Sequence, residues 1–314
     1  MANVLITGGT GFIASHIARR LIAAGHRVVC FDNAVSPARL KIIGEDAIIR
    51  RGDVTQIEDL ISACQEYEVD RIISLAFLMP LEAEKHLSLA VRINALGVNN
   101  AFEAARLCGI KRVVHASSIS AYGHYSWYQD TPAKEIPEHF HPANNVYGAA
   151  KQFNEFMAGR YNQYHQMEII CVRTSIVFGY GRALGSTMWM DAMISNPVLG
   201  RPAQVPRRAS QKVSLIYVKD LADIFVALAL APAPRHRVYN SGRHTLNLGR
   251  FAQMVKKEIP SAEFQFDEAA EPFYLVHAVD DSRYTEEFKP KFPDLAENIR
   301  DQIAMVRQME ALAS

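Results

Sequence analysis

The chain has 314 residues, enough to bury the core of one large α/β domain or two smaller ones. Hydrophobic residues at 49%, charged residues at 21% and a formal net charge of +1 fit an ordinary globular chain and give no electrostatic basis for binding nucleic acid or a membrane surface. The apolar runs at 4–7 and 221–231 are too short to span a bilayer, and Cys30, Cys64, Cys108 and Cys171 form no metal or disulfide pattern, so a cytoplasmic protein with free thiols is expected.

In chain order, residues 4–7, 27–31, 47–50, 71–75, 112–116 and 168–173 are apolar, β-branched runs that predict strands. Between them, 12–24, 57–66, 82–107 and 145–164 carry helical periodicity. Strands alternating with helices predict βαβ units, hence an α/β fold of the Rossmann type with a doubly wound parallel sheet. After residue 173 the pattern loosens into Gly-, Pro- and Arg-rich stretches at 179–212 and 240–282, around a further strand–helix unit at 213–230; 295–312 reads as a helix. The predicted organisation is a Rossmann domain from 1–174 with about 213–240, and a smaller, discontinuous substrate-binding part from 175–212 and 241–314.

Two motifs carry chemistry. Thr7-Gly8-Gly9-Thr10-Gly11-Phe12-Ile13-Ala14 joins the first strand to the first helix and contains Gly9-x-Gly11-x-x-Ala14, the dinucleotide fingerprint in its G/A form. Glycine allows the tight turn and close approach of a pyrophosphate, and the helix that follows offers unpaired N–H groups to it. Gly8 and Gly11 are therefore candidate cofactor contacts. Asp32 ends the second strand at the span expected of a ribose-binding acid, which favours NAD over NADP because a carboxylate repels a 2′-phosphate. Asn33 is a further polar candidate; Arg39 and Lys41 read as solvated loop charges or as contacts for a 2′-phosphate. Gly52-Asp53-Val54 is placed to bracket an adenine, while Asp53 is equally suited to cap the helix near Thr55.

The second motif, Tyr147-Gly148-Ala149-Ala150-Lys151, sets a phenol and an ammonium on one helical face. A nearby cation favours the phenolate, so Tyr147 is the expected proton-transfer group and Lys151 its tuner. Ser118, at the end of a strand on the sheet's carboxyl edge, is the candidate to hold the reacting oxygen, although Ser117 and Ser120 suit the same task.

With these residues in place, the chain resembles an extended short-chain dehydrogenase/reductase of the NAD-dependent epimerase/dehydratase family over nearly its whole length. The resemblance is carried by residues 7–13, Phe31-Asp32-Asn33, Gly52-Asp53-Val54, Asn94 in Asn-x-x-Gly, Ser117-Ser118, Tyr147 with Lys151, residues 217–222 and Asp281-Ser282-Arg283. It implies Ser118, Tyr147 and Lys151 as the catalytic trio. It also implies Phe12, Ile13, Asp32, Asn33, Asp53, Val54, Leu75, Ala76, Phe77, Asn94, Ser117 and Ile176, beside Tyr147 and Lys151 themselves, as the NAD-binding set. A homodimer built on helices at 82–107 and 145–164 is implied as well, with no metal.

Departures bear on the substrate. Ile176 stands where nucleotide-sugar members carry asparagine, Val213 where they carry arginine, and Ile119-Ser120 where 4,6-dehydratases carry Asp-Glu. Arg201, Arg207, Arg208 and Lys212 are left as anion-binding candidates or solvated charges, and Phe77, Leu78, Met79, Trp127 and Tyr128 as an apolar pocket wall or core. The expected function is an NAD-dependent oxidoreductase acting on a secondary alcohol or ketone of a sugar-like or small polar substrate. The alternative is a nucleotide-sugar epimerase of the UDP-hexose 4-epimerase kind with tightly held NAD.

Overall fold

The computed structural model describes residues 1–128, 131–182 and 185–311. Its large sheet is made of strands with almost no polar alternation. β1 (Asn3–Thr7) and β2 (Arg27–Asp32) place Val4, Leu5, Ile6, Val28, Val29 and Cys30 fully inside. Such runs are buried on both faces, as parallel strands covered by helices must be. With β3 (Ile48–Arg51), β4 (Arg71–Ser74), β5 (Arg112–Ser118) and β6 (Glu168–Thr174), they match the six predicted strands to within two residues.

A seventh strand completes the sheet beyond β6. Counting β7 (Ile176–Phe178), β8 (Ala203–Val205) and β9 (Lys212–Tyr217) in between, it is β10 (Val238–Asn240). The order β10-β6-β5-β4-β1-β2-β3 is parallel throughout and reverses direction at β1. That reversal opens a crevice at the carboxyl ends of β1 and β4, where ligands bind in such sheets.

Four features differ from the sequence reading. Ser36 and Pro37 start a helix, Pro37–Ile43, in a stretch that shows no helical period; proline is pre-set for a first helical position. The long helix of 82–107 is four pieces, Pro80–Lys85, Leu87–Ala90, a π-helical turn Val91–Gly97 and Val98–Leu107. His86 leaves helical dihedrals, and the wide turn carries the fully buried Asn94 inward. Strand β9, expected with the large sheet, instead pairs with β7 and with β11 (His244–Asn247) in a three-stranded sheet. Its helix, Val218–Leu230, does pack on the large-sheet layer against the helix Phe12–Ala23. A two-stranded sheet joins β8 to β12 (Phe264–Phe266), and the terminal helix Leu295–Ala311 packs beside the helix Trp189–Val198. Among the described residues no helix is long and apolar enough to cross a membrane.

The Phe12–Ala23 helix buries His16, whose Nε2 has no partner; burial, then Lys219 and other cations, pull its pKa down to about 3. The unfolded chain takes a proton below the usual value of 6.5 that the native state refuses, so this group costs stability as pH falls from about 6.5 towards 3. Asp191, Asp220 and Asp281, raised to about 6 chiefly by burial, act in the opposite sense. Comparing His16→Phe with the parent isolates the histidine. In urea titrations from pH 7 to pH 4, the variant's unfolding midpoint should lose less than the parent's, and parallel losses would show that His16 is not the acid-sensitive group.

Candidate active site

Glycine geometry forms the cradle. Gly8 has φ +63, Gly11 N–H donates to Gly8 C=O at 2.8 Å, and Gly9 presses so closely on β2 that a Cβ there would collide with the Cys30 backbone. The helix Phe12–Ala23 then begins at Gly11 with no side-chain cap, leaving its first N–H groups for an anion. Asp32 Oδ2 accepts from Thr10 N–H and Thr10 Oγ1 at 2.9 and 2.8 Å, while its Oδ1 accepts from Ala34 N–H at 3.2 Å. The carboxylate thus fixes the turn and still faces the cavity with acceptor capacity to spare. Asp53 lines the cavity, and its Oδ1 accepts from Thr55 N–H at 2.8 Å in an Asx turn; it does not cap the helix that follows, Ile57–Glu66, whose N-cap is Gln56 with no side-chain hydrogen bond.

One cavity of about 780 Å³ runs from this cradle to the strand ends. It brings together Gly8, Gly11, Phe12, Ile13, Asp32, Asn33, Asp53, Val54, Leu75, Ala76, Phe77, Ser117, Ser118, Tyr147, Lys151 and Ile176. Asn94 is the exception. It lies outside the lining and uses both ends of its amide on Leu78, accepting from N–H at 2.7 Å and donating to C=O at 3.0 Å. It shapes the wall because the π-helical turn buries it behind that loop.

The helix Val146–His165 carries the second motif. Asn145 caps it through Gly148 N–H at 2.7 Å, and Gly148 itself is required because a Cβ would sit 2.6 Å from Ser120 C=O. That contact seats Tyr147 beside the Ser118 turn. Ser118 lowers the pKa of the Tyr147 phenol; its hydroxyl donates to Ser120 Oγ at 3.3 Å and accepts from Ser120 N–H at 3.1 Å. Ser117 instead donates to Glu155, which separates the two serines by function.

The electrostatics differ from the expected pairing. Tyr147 packs edge-on to Phe77, and burial pushes its phenol up to about 12 against the lowering influence of Ser118 and Arg182. Lys151 Nζ lies 3.3 Å from the Phe77 ring centre and 5.2 Å from that of Tyr147, and donates to Ala116 C=O. Burial draws its pKa well down. The Arg182 charge also lowers the phenol's pKa.

Several other expectations shift. Arg39 is not a solvated charge; it lines the cavity and donates to Gly181 C=O. Trp127 and Tyr128 lie outside the lining: Trp127 stacks on His141, and Tyr128 donates to Tyr122 C=O at 2.7 Å. Arg201, Arg207, Arg208 and Lys212 are also outside it. The reacting end is bordered instead by Arg182, Ser186, Thr187, Tyr274 and Leu275. Their one sequence signal is the spacing of Gly179, Gly181 and Gly185 just after a strand. Among the described residues no group of His, Cys, Asp and Glu could hold a metal ion.

A glycine cradle at the switch point, beside a Ser/Tyr/Lys cluster on a parallel sheet, defines an NAD-binding Rossmann enzyme of the extended short-chain dehydrogenase/reductase superfamily. The family model for the NAD dependent epimerase/dehydratase family matches residues 4–242, and the chain belongs to that family. The UDP-glucose 4-epimerase of Mycolicibacterium smegmatis is 27% identical over 76% of this chain and 77% of its own length. Among solved structures, L-threonine dehydrogenase from Clostridium difficile superposes with a TM-score of 0.87 at 23% identity, covering 98% of each chain. The UDP-glucose 4-epimerase of Thermus thermophilus in complex with NAD superposes at 0.83 with 20% identity, covering 97% of this chain and 99% of that one. At those identities the likeness shows the fold. NAD is the cofactor, and a glycine turn packed on β2 so closely that Gly9 has no room for a Cβ leaves the backbone N–H groups of the following helix open to its diphosphate.

Gly9→Ala should therefore lower NAD affinity by tenfold or more and reduce Tm, as read by calorimetric titration and thermal melting. Unchanged NAD binding would mean that the Gly9 turn does not shape the cofactor site.

Proposed function

We propose that the protein is a dehydrogenase interconverting a secondary alcohol and its ketone on a small polar substrate. The observation that carries this reading is the wall at the reacting end. Arg182, Ser186, Thr187, Tyr274 and Leu275 border the space beside Tyr147, while the basic side chains of 201–212 stay outside the cavity. Bound NAD supplies the hydride acceptor or donor. Gly8, Gly11, Phe12 and Ile13 would hold its diphosphate, Asp32 and Asn33 a ribose, Asp53 and Val54 the adenine, and Leu75, Ala76, Phe77, Ser117 and Ile176 its remaining length. Ser118 orients the reacting oxygen, and the Tyr147 phenol gives or receives its proton. Lys151, anchored on Ala116 C=O, holds the helix face in register.

A second reading, nucleotide-sugar epimerase, is favoured by one feature. A further hollow of about 630 Å³, bordered by Met188, Trp189, Gln204, Val205, Gln265 and Phe266, adjoins the same 186–189 segment and offers room for a longer ligand. A panel of hydroxy acids, aldoses, sugar acids and nucleotide sugars separates the two at 340 nm. Net NADH release with a small alcohol is expected; UDP-hexose interconversion without NADH would replace the first reading by the second. Tyr147→Phe should cut kcat by about 10²–10⁴-fold with NAD affinity kept. Because its phenol is protonated in the free enzyme, oxidation by the parent should accelerate as pH rises into the alkaline range, and a flat profile would remove Tyr147 from the base's role.

We also propose a homodimer. The helices at 87–107 and Val146–His165 pack side by side and expose Leu89, Val91, Leu96, Phe153 and Phe156, an apolar surface larger than scattered single residues account for. Light scattering should give twice the chain mass, falling to one chain mass in Phe153→Glu/Phe156→Glu. A monomeric parent would end the proposal.

A further inference from the structure

We propose that Arg182 is the recognition group for a carboxylate on the substrate, so that the alcohol taken by this enzyme is a small hydroxy acid or amino-hydroxy acid. The inference rests on the small-substrate reading above and names its chemical class.

The placement of Arg182 is specified by the chain. It follows β7 in a turn where Gly179, Gly181 and Gly185 take φ of 143, 100 and 95, a region closed to most side chains. A Cβ at Gly179 would collide with Val218, and one at Gly185 would come within 2.8 Å of Met79 Cε. The turn is thus pressed against the Val218–Leu230 helix on one side and the β4 exit loop on the other. It delivers the guanidinium over the Phe12 ring at 5.8 Å, with Nη1 donating to Val177 C=O at 3.1 Å and Nη2 to Thr187 Oγ1.

What this guanidinium lacks is an anion. The other enclosed arginines of the sheet are each matched: Arg112 by Glu168 and Arg173 by Glu155. Among the described residues Arg182 has no ion pair, and its Nε is buried with no acceptor. Burial brings its pKa down to about 10, so it remains a cation at neutral pH. The facing carboxyl, Asp191, is spent on Ser195 Oγ and Gln302 Nε2 at 2.9 Å each and is itself raised to about 6 by burial. An enclosed charge without a counter-ion is strongly disfavoured, and a ligand that supplies the opposite charge removes that penalty.

The arginine's place in the cavity selects which ligand. It acts electrostatically on the Tyr147 phenol, and it borders the same cavity as Ser186, Thr187 and Tyr274. The cofactor diphosphate already has the free N–H groups of the Phe12–Ala23 helix. A single guanidinium flanked by hydroxyls balances one negative charge in planar, two-point fashion, which suits a carboxylate better than a doubly charged phosphate.

The test uses the NAD-loaded protein and matched pairs: 2- and 3-hydroxy acids and L-threonine, each against its neutral amide, with a phosphorylated alcohol alongside. The acids should show at least tenfold higher kcat/KM in NADH formation than their amides. Arg182→Gln should erase that preference by raising KM for the acid about 10–100-fold, the range of a hydrogen bond to a charged group, with NAD affinity and Tm unchanged. Arg182→Lys should restore part of it. Equal rates for acid and amide, preference for the phosphate ester, or an Arg182→Gln variant whose loss lies in NAD affinity would each overturn the assignment. Calorimetric titration of the same acids keeps the two readings apart. Arg182-dependent binding with no NADH from any alcohol would sink the dehydrogenase reading and leave the carboxylate site standing, while no acid binding at all would remove the site.

Discussion

The buried Glu155–Arg173 ion pair ties the proton-transfer helix to the sheet, and the geometry of the site hangs on it. Both side chains are 7% exposed and their nitrogen and oxygen lie 2.7 Å apart. Glu155 sits one turn beyond Lys151 on the Val146–His165 helix, and it also accepts from Ser117 at the end of β5. Arg173, next to the end of β6, covers the Tyr122 ring at 4.4 Å, and its carbonyl accepts from Ser241 N–H just beyond β10. Tyr122 in turn donates to Asn240 at 2.9 Å. One ion pair therefore links the helix and three neighbouring strands at the edge where Ser118 and Tyr147 must meet. Removing either partner leaves an uncompensated interior charge, a loss of about 3–5 kcal/mol.

Much of the fold was legible because its strands are continuous apolar runs and its helices amphipathic, signals that local sequence carries by itself. The cradle was legible for a different reason: only glycine satisfies the Gly9 contact with β2, so the chemistry of the turn is written in residue identity. Ser36-Pro37 also announces a helix start, but the helix it opens is too short to show a period. Strand β9 and the fragmented helix at 80–107 were not legible. Sheet membership depends on partners distant in sequence, and a π-helical turn is not marked by composition: Asn94 is buried in it and Asn100 is buried in the α-helix that follows.

The site divides in the same way. Tyr147, Lys151 and Ser118 were found through fixed spacing and strand-end position, both local properties. Arg182 and Tyr274 were not, since a guanidinium becomes distinctive only when its surroundings are seen to withhold an anion. Arg201, Arg207 and Arg208 look equally cationic in sequence and lie outside the cavity. Spacing placed Lys151 on the face it shares with Tyr147, and the length of its side chain lets its amine reach Ala116 C=O as well as the phenol ring.

The glycine-rich turn after β7 has an evolutionary consequence. In the proposed mechanism proton transfer rests on β5 and one helix, whereas the other side chains of the cavity beside Tyr147 come from a short turn and from residues 274–275, which contribute nothing to the large sheet. Replacing that turn can change the client molecule while leaving the folding core as it is.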